Sequence, residues 1–351
     1  MKKLFSILLL LTAINSKGAI NTNSIDSLLD LVNFSEDDTI KINAALKLGN
    51  KYYNTSYKQA IVYYKHALAL SKKKDYNNGK AGAYNGLGVM YYHAGSLDSA
   101  LINWKRGIKI YKQTKDRKGL ADTYNNLAFI YKRLNNLDTA LAFHNKSINI
   151  KREELSLSRQ KDDSTRILNG LAGSFNNKGK IFIEQKRIKQ ALDVFELSLR
   201  YRFRAKNLGG AAFTYSNIGL CYFYQGQMDS SEYYYTKSLD IHLERDNQKA
   251  AVGVYINFGN LFISKRDTSS AQLYLDKALT KAKDLNDLFS LKQIYESLYE
   301  LYTIKEEYKR ALQILTKLNK IDLELKKEAA RQIESKMKME TEHLKATLKL
   351  Q

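Results

Sequence analysis

Apolar and polar positions follow one another along this chain with the period of a helix, and the pattern itself recurs. Ala60, Ala100, Ala140, Ala191, Ser231, Ala271 and Ala311 stand at spacings of 40, 40, 51, 40, 40 and 40 residues. Before the last six of these, at a fixed offset of 16 residues, come Tyr84, Tyr124, Phe175, Tyr215, Tyr255 and Tyr295, and at 9 residues Tyr91, Tyr131, Phe182, Tyr222, Phe262 and Tyr302. Between them lies a small residue, Gly88, Ala128, Gly179, Gly219 or Gly259, with Tyr299 as the exception; Gly49 and Tyr52 repeat the element in the first copy. Aromatic, aliphatic, small and aromatic residues at offsets 0, 3, 4 and 7 share one face of a 3.6-residue helix and predict a buried stripe. The small residue admits a second helix, which brings the recurring Ala and, four residues on, Tyr64, Trp104, Phe195, Tyr235, Leu275 or Leu315, with His144 in the third copy. Each copy therefore predicts an antiparallel helix pair whose core is completed by its neighbours.

Residues 83–88 (AYNGLG), 123–128 (TYNNLA) and 214–219 (TYSNIG), with Ala100, Ala140 and Ala191, carry a resemblance to the tetratricopeptide repeat, in a 40-residue variety. The resemblance covers residues 40–325. It implies an all-α fold, a right-handed superhelical solenoid of about seven antiparallel helix pairs with a C-terminal extended helix. Repeats 1–3 then fall in 40–150 and repeats 4–7 in 167–322. Between them, 151–166 is a charged insertion with Arg152, Glu153, Glu154, Arg159, Lys161, Asp162 and Asp163, which either lengthens two helices or forms a loop. Residues 19–39 read as a capping segment with a short helix and an acidic turn. Residues 323–351 read as a charged helical tail, either a solenoid cap or solvated helix, or a connector that is membrane-proximal or forms a coiled coil through which the chain dimerises.

Composition sharpens this picture in three places. The 351 residues contain no Pro, which suits long helices, and one Cys, Cys221, which excludes an intrachain disulfide framework. Lys2 and Lys3 precede an apolar run ending at Ile14, then Ser16 and Gly18, the order of a secretory signal over 1–18; a buried first helix is the alternative. Export to the periplasm follows from the first reading. The formal charge of +21 raises nucleic acid and anionic surfaces as partners. That charge is spread over many helices without a recognition motif, so nucleic acid does not fit and weak anionic surface binding remains.

No phosphate-cradling glycine loop, metal-spaced histidine pair or nucleophile elbow occurs, so neither enzyme activity nor a cofactor is expected. The informative row is Asn126, Asn177, Asn217 and Asn257, two residues before the small position, with Asn85, Asn125 and Asn176 at the position before that in their copies. Asn is unfavourable inside a helix, so its recurrence calls for a reason. A carboxamide can pair with both groups of a peptide unit. One per repeat would hold an extended chain, as the resemblance implies for several superhelical members of that family; the alternative use is to link adjacent repeats. Tyr92, Phe129, Lys132, Arg133, Lys180, Phe223 and Tyr224 share that face, with Glu296 and Glu300 toward its end, and suit an acidic or amphipathic peptide.

Two functions follow as expectations. One is an exported, non-enzymatic scaffold that binds an extended peptide or protein segment. The other rests on a resemblance to the exported sensor region of Bacteroidetes-type tetratricopeptide signalling proteins: a sensor ectodomain, or an in-trans partner of a membrane histidine kinase or transcriptional regulator.

Overall fold

The computed structural model describes residues 24–348 except 54, 159 and 160, with side chains described to residue 331 apart from those of 161 and 162. The signal over 1–18 and residues 19–23 of the capping segment lie outside the described residues. Among them the chain is all-helical: α1 (Ile25–Phe34), α2 (Asp38–Tyr52), α3 (Tyr57–Lys73), α4 (Asn77–His93), α5 (Leu97–Gln113), α6 (Arg117–Arg133), α7 (Leu137–Leu157) and α8 (Lys161–Glu184). There follow α9 (Ile188–Arg204), α10 (Leu208–Tyr224), α11 (Met228–Glu244), α12 (Gln248–Ser264), α13 (Thr268–Asp284), α14 (Leu288–Ile304) and α15 (Tyr308–Leu348). From α2 onward they pair as first and second helices of a solenoid. The insertion takes the form of longer helices, 21 residues in α7 and 24 in α8 against 17 in α9.

Several turns are short because single residues serve two helices. Asn207 closes α9 by donating its backbone N–H to Arg202 O (2.9 Å), and its side chain accepts from Gly210 N (2.7 Å) to open α10. Asp267 does the same between α12 and α13, and Asp287 between α13 and α14. Both orphan ends of the backbone are thus satisfied within three residues. At the chain's described start, Ser24 caps α1 and Asp37 caps α2; the backbone N–H groups of Thr39 and Ile40 hold the Asp37 carboxyl below its usual range.

The chain divides into two compact units, 1–91 with 102–114, and 92–101 with 115–351. In the first, Leu28, Ile42, Leu48 and Trp104 are fully buried. In the second, one cluster centres on Phe175, Ile181 and Phe195 and another on Tyr235, Phe258, Leu261 and Leu275. The second unit ends in α15, a single helix with no break at residue 323. Ile314 and Ile321 are buried against the core and Leu318 and Leu325 partly so. The side chains of a coiled-coil seam from Ile333 onward lie outside the described residues.

Candidate functional site

The first helices of the second unit, α6, α8, α10, α12 and α14, present their polar positions to one another. Asn125 Oδ1 accepts from Ser174 Oγ (3.2 Å) and lies 3.1 Å from His144 Nδ1. Asn176 Oδ1 accepts from Asn217 Nδ2 (2.8 Å) and from Thr214 Oγ1 (3.5 Å). Asn257 Nδ2 donates to Ser216 Oγ (3.1 Å), and Ser297 Oγ to Asn260 Oδ1 (2.7 Å). A mid-helix Asn thus meets its hydrogen-bonding need across a helix interface, which is the linking use of the row. Asn126 and Asn177 are half-buried on α6 and α8.

Between α10, α12 and α14 the Asn257–Ser216 and Ser297–Asn260 links, together with Asn217, line a groove of about 910 Å³. Of the residues expected from sequence, Lys180, Asn217, Phe223 and Asn257 line it; Glu296 and Glu300 lie at its α14 wall. Asn217 and Asn257 each spend Nδ2 on a neighbouring helix, and their Oδ1 atoms make no hydrogen bond among the described residues. Phe213 (49% exposed) and Phe289 (64%) flank the opening as apolar surface. At Gly253 the wall recedes, with no atom within 4 Å of where a Cβ would stand.

The remaining expected residues fall elsewhere. Tyr92, Phe129 and Arg133 come together, but with one another: the Arg133 guanidinium sits 5.7 Å from the Tyr92 ring centre and donates from Nη1 to Tyr92 O (3.3 Å). Phe129 packs edge-on against His144 (6.0 Å), and Lys132 is ion-paired to Glu184 (2.6 Å). Tyr224 is exposed outside the groove. Asn85 belongs to the first unit, where its carbonyl accepts from Trp104 Nε1 (3.2 Å) and it lines a separate cavity of about 400 Å³ with Asn50, Tyr53 and Tyr64.

Sequence reading missed Phe213, His242, Lys249 and Asn260 as groove residues. Phe213, Gly253 and Asn260 were recoverable, four residues before or three after the asparagines on one helix face. His242 was not, because it reaches the groove from a second helix, α11, seven residues beyond the ring residue Tyr235. It is 1% exposed, its Nδ1 has no partner among the described residues, and its ring meets Phe213 at 4.7 Å. Burial lowers its pKa, so the imidazole is neutral. Crowding by the surrounding helices, then the charge of Lys132, lowers that of Lys180, with Glu184 opposing. Cys221 is fully buried and its thiol is pushed up to about 12, far from a reactive thiolate. Among the described residues no group of His, Cys, Asp and Glu could hold a metal, and no helix is long and apolar enough to cross a membrane.

Residues 79–153 match the family model described as tetratricopeptide repeat. The fold is similar to the quorum sensor NprR from B. thuringiensis in its apo form, at TM-score 0.66 and 15% identity over 85% of this chain and 80% of that one. It is also similar to apo RapI (TM-score 0.64, 15% identity, 84% and 99% covered) and to a Rap protein complexed with competence and sporulation factor (0.58, 14%, 88% and 92%). At these identities the likeness is one of fold, a tetratricopeptide-like solenoid. No curated protein sequence matches the chain.

Proposed function

We propose that this chain is an exported protein-interaction scaffold whose second unit captures an extended peptide segment of a partner between α10, α12 and α14. The observation that carries the reading is the pair Asn217 and Asn257, each locked by its Nδ2 to the next helix while its Oδ1 stays open on the groove floor. A carboxamide fixed in this way can accept a backbone N–H from a ligand whatever that ligand's side chains are. Phe213 and Phe289 offer apolar surface for alternate side chains. The tetratricopeptide match and the solenoid neighbours, one of them holding a bound factor, support an interaction role. Export rests on the signal-like order of residues 1–18.

The test places a photo-crosslinking residue at Phe213 in the groove and, as a control, at Lys237 on α11, in the chain expressed with its own leader. A partner crosslinked at 213, absent at 237 and lost in Asn217→Ala/Asn257→Ala with helicity retained, is the expected result. Equal crosslinking from both positions would overturn the groove. Recovery of the protein in the cytosol would overturn export.

A second reading, a sensor ectodomain or in-trans partner of a membrane histidine kinase or transcriptional regulator, draws on the description of NprR as a quorum sensor. The same crosslink decides it: a kinase or regulator captured at residue 213 selects the signalling role.

A further inference from the structure

We propose that the groove reads charge order, taking a peptide with an acidic side chain at the α8 end and a basic one at the α14 end. This rests on the peptide-binding reading and adds the polarity of the ligand.

Lys180 on α8 and Glu296 and Glu300 on α14 line the same groove from opposite walls. Lys180 has no ion-pair partner among the described residues, since the carboxylate one turn on, Glu184, is held by Lys132 at 2.6 Å. Glu300 likewise forms no ion pair among them. Glu296 has only a long contact to Lys292 (3.9 Å), and Lys292 is engaged by Asp322 at 2.7 Å. The groove's other cation, Lys249, lies 3.8 Å from Asp287, so that pair offsets itself. What remains is net positive charge at the α8 end, Lys180 and Lys132 against Glu184, and net negative charge at the α14 end, Glu296, Glu300 and Asp322 against Lys292, with Asn217, Asn257 and His242 between.

Opposite charges on facing walls of a cleft focus the field along it. A ligand of matching order gains at both ends, and one of reversed order meets like charge at both ends, which costs more than a missing attraction. Three helix steps of roughly 8–10 Å separate α8 from α14, a span that roughly seven to nine extended residues cover.

The experiment uses the full chain and four pools of acetylated, amidated nonapeptides, each with two charged residues at either end and randomised uncharged residues between. The ends are acidic–basic, basic–acidic, acidic–acidic or basic–basic. At least one mixed pool should bind about tenfold tighter than either like-charged pool. Lys180→Glu alone, helicity retained, makes both ends of the groove acidic and should move the preference to the basic–basic pool. Binding that depends on Asn217 and Asn257 but is equal for all pools, or strongest for a like-charged pool, overturns charge order and leaves the peptide reading standing. No binding by any pool overturns both.

Discussion

Phe195 of α9 lies directly over Gly179 of α8: a Cβ on that glycine would stand 2.4 Å from Phe195 Cε1, and the ring is fully buried. The same opposition joins Gly88 to Trp104 and Gly219 to Tyr235, and in the copy whose ring position holds the smaller imidazole of His144 the small position holds Ala128. Ring size on the second helix and bulk on the first are therefore two halves of one contact. In Gly179→Ala the gain of about 1 kcal/mol in helix propensity is outweighed by about 1–3 kcal/mol of overpacking, so the variant should unfold at lower urea. Removing the ring should reverse the sign. In a Phe195→Ala background, itself costing about 3–5 kcal/mol, Gly179→Ala should be neutral or stabilising. Urea midpoints of the four chains complete the test, and additive losses would refute the contact.

His144 makes stability depend on pH in a defined window. Burial, then the charges of Lys151, Lys178 and Lys132, lowers its pKa to about 3. In the unfolded chain it titrates near its ordinary value of about 6.5. Between those values the unfolded chain binds one more proton, so stability is full above about pH 6.5 and is lost as pH falls, at about 1.4 kcal/mol per unit. His242, lowered by burial, adds a term of the same sign. Between pH 6.5 and 5, before carboxylates titrate, His144→Phe should flatten the slope of unfolding free energy, and the double variant with His242→Phe should flatten it further. An unchanged slope would show that neither imidazole is held neutral.

Much of the fold was legible because burial repeats. Tyr235 and Phe195 are buried for the reason their spacing gave, and the small residues mark where the helices close. The site was legible in half. Asn217 and Asn257 were visible as polar residues in the wrong place for a helix, but sequence could not say which carboxamide atom would face the next helix and which the groove. Tyr92, Phe129 and Arg133 were read by face alone, and their contacts with one another are set by side-chain reach, which spacing does not encode. The two-helix service of Asn207 and Asp287 was missed because a turn residue looks alike whether it ends one helix, begins another or does both.

The two uses of the asparagine row separate by mutation. Asn176 accepts from Asn217 Nδ2 (2.8 Å), and Thr214 keeps Gly210 O (3.3 Å) as an acceptor without it, so Asn176→Ala leaves the Asn217 amide one partner short and should cost about 1–2 kcal/mol. Asn177, its neighbour on α8, has no such bond among the described residues, and alanine is the better helix former by about 0.5 kcal/mol. Asn177→Ala should therefore be neutral or slightly stabilising. Thermal melts of the two variants distinguish them. Equal losses would mean that residue type rather than the cross-helix bond sets the cost.

Lys186, Lys206 and Arg266 follow α8, α9 and α12 with φ of 58°, 53° and 61°, the left-handed region that a side chain disfavours. The equivalent turn after α10 uses Gly226 at φ 73°. All three charged side chains are exposed, so removing them breaks no packing. The turn is fixed by backbone bonds instead: Lys206 N–H donates to Phe203 O (2.9 Å), and Asn207 N–H to Arg202 O (2.9 Å). Glycine would adopt this conformation without the penalty of a Cβ, and relief of about 1–2 kcal/mol exceeds its entropy cost of about 0.5–1 kcal/mol. Lys186→Gly, Lys206→Gly and Arg266→Gly should each raise the unfolding midpoint, and the triple variant should approach their sum, since the turns share no contacts. Asn135→Gly and Asn286→Gly should gain less, because Asn already tolerates φ of 58° and 50°. The converse, Gly226→Ala, should destabilise by about 1–2 kcal/mol although nothing lies within 4 Å of its Cβ position, so any loss is backbone strain alone. Stability unchanged in Gly226→Ala would show that these turns relax out of the left-handed region.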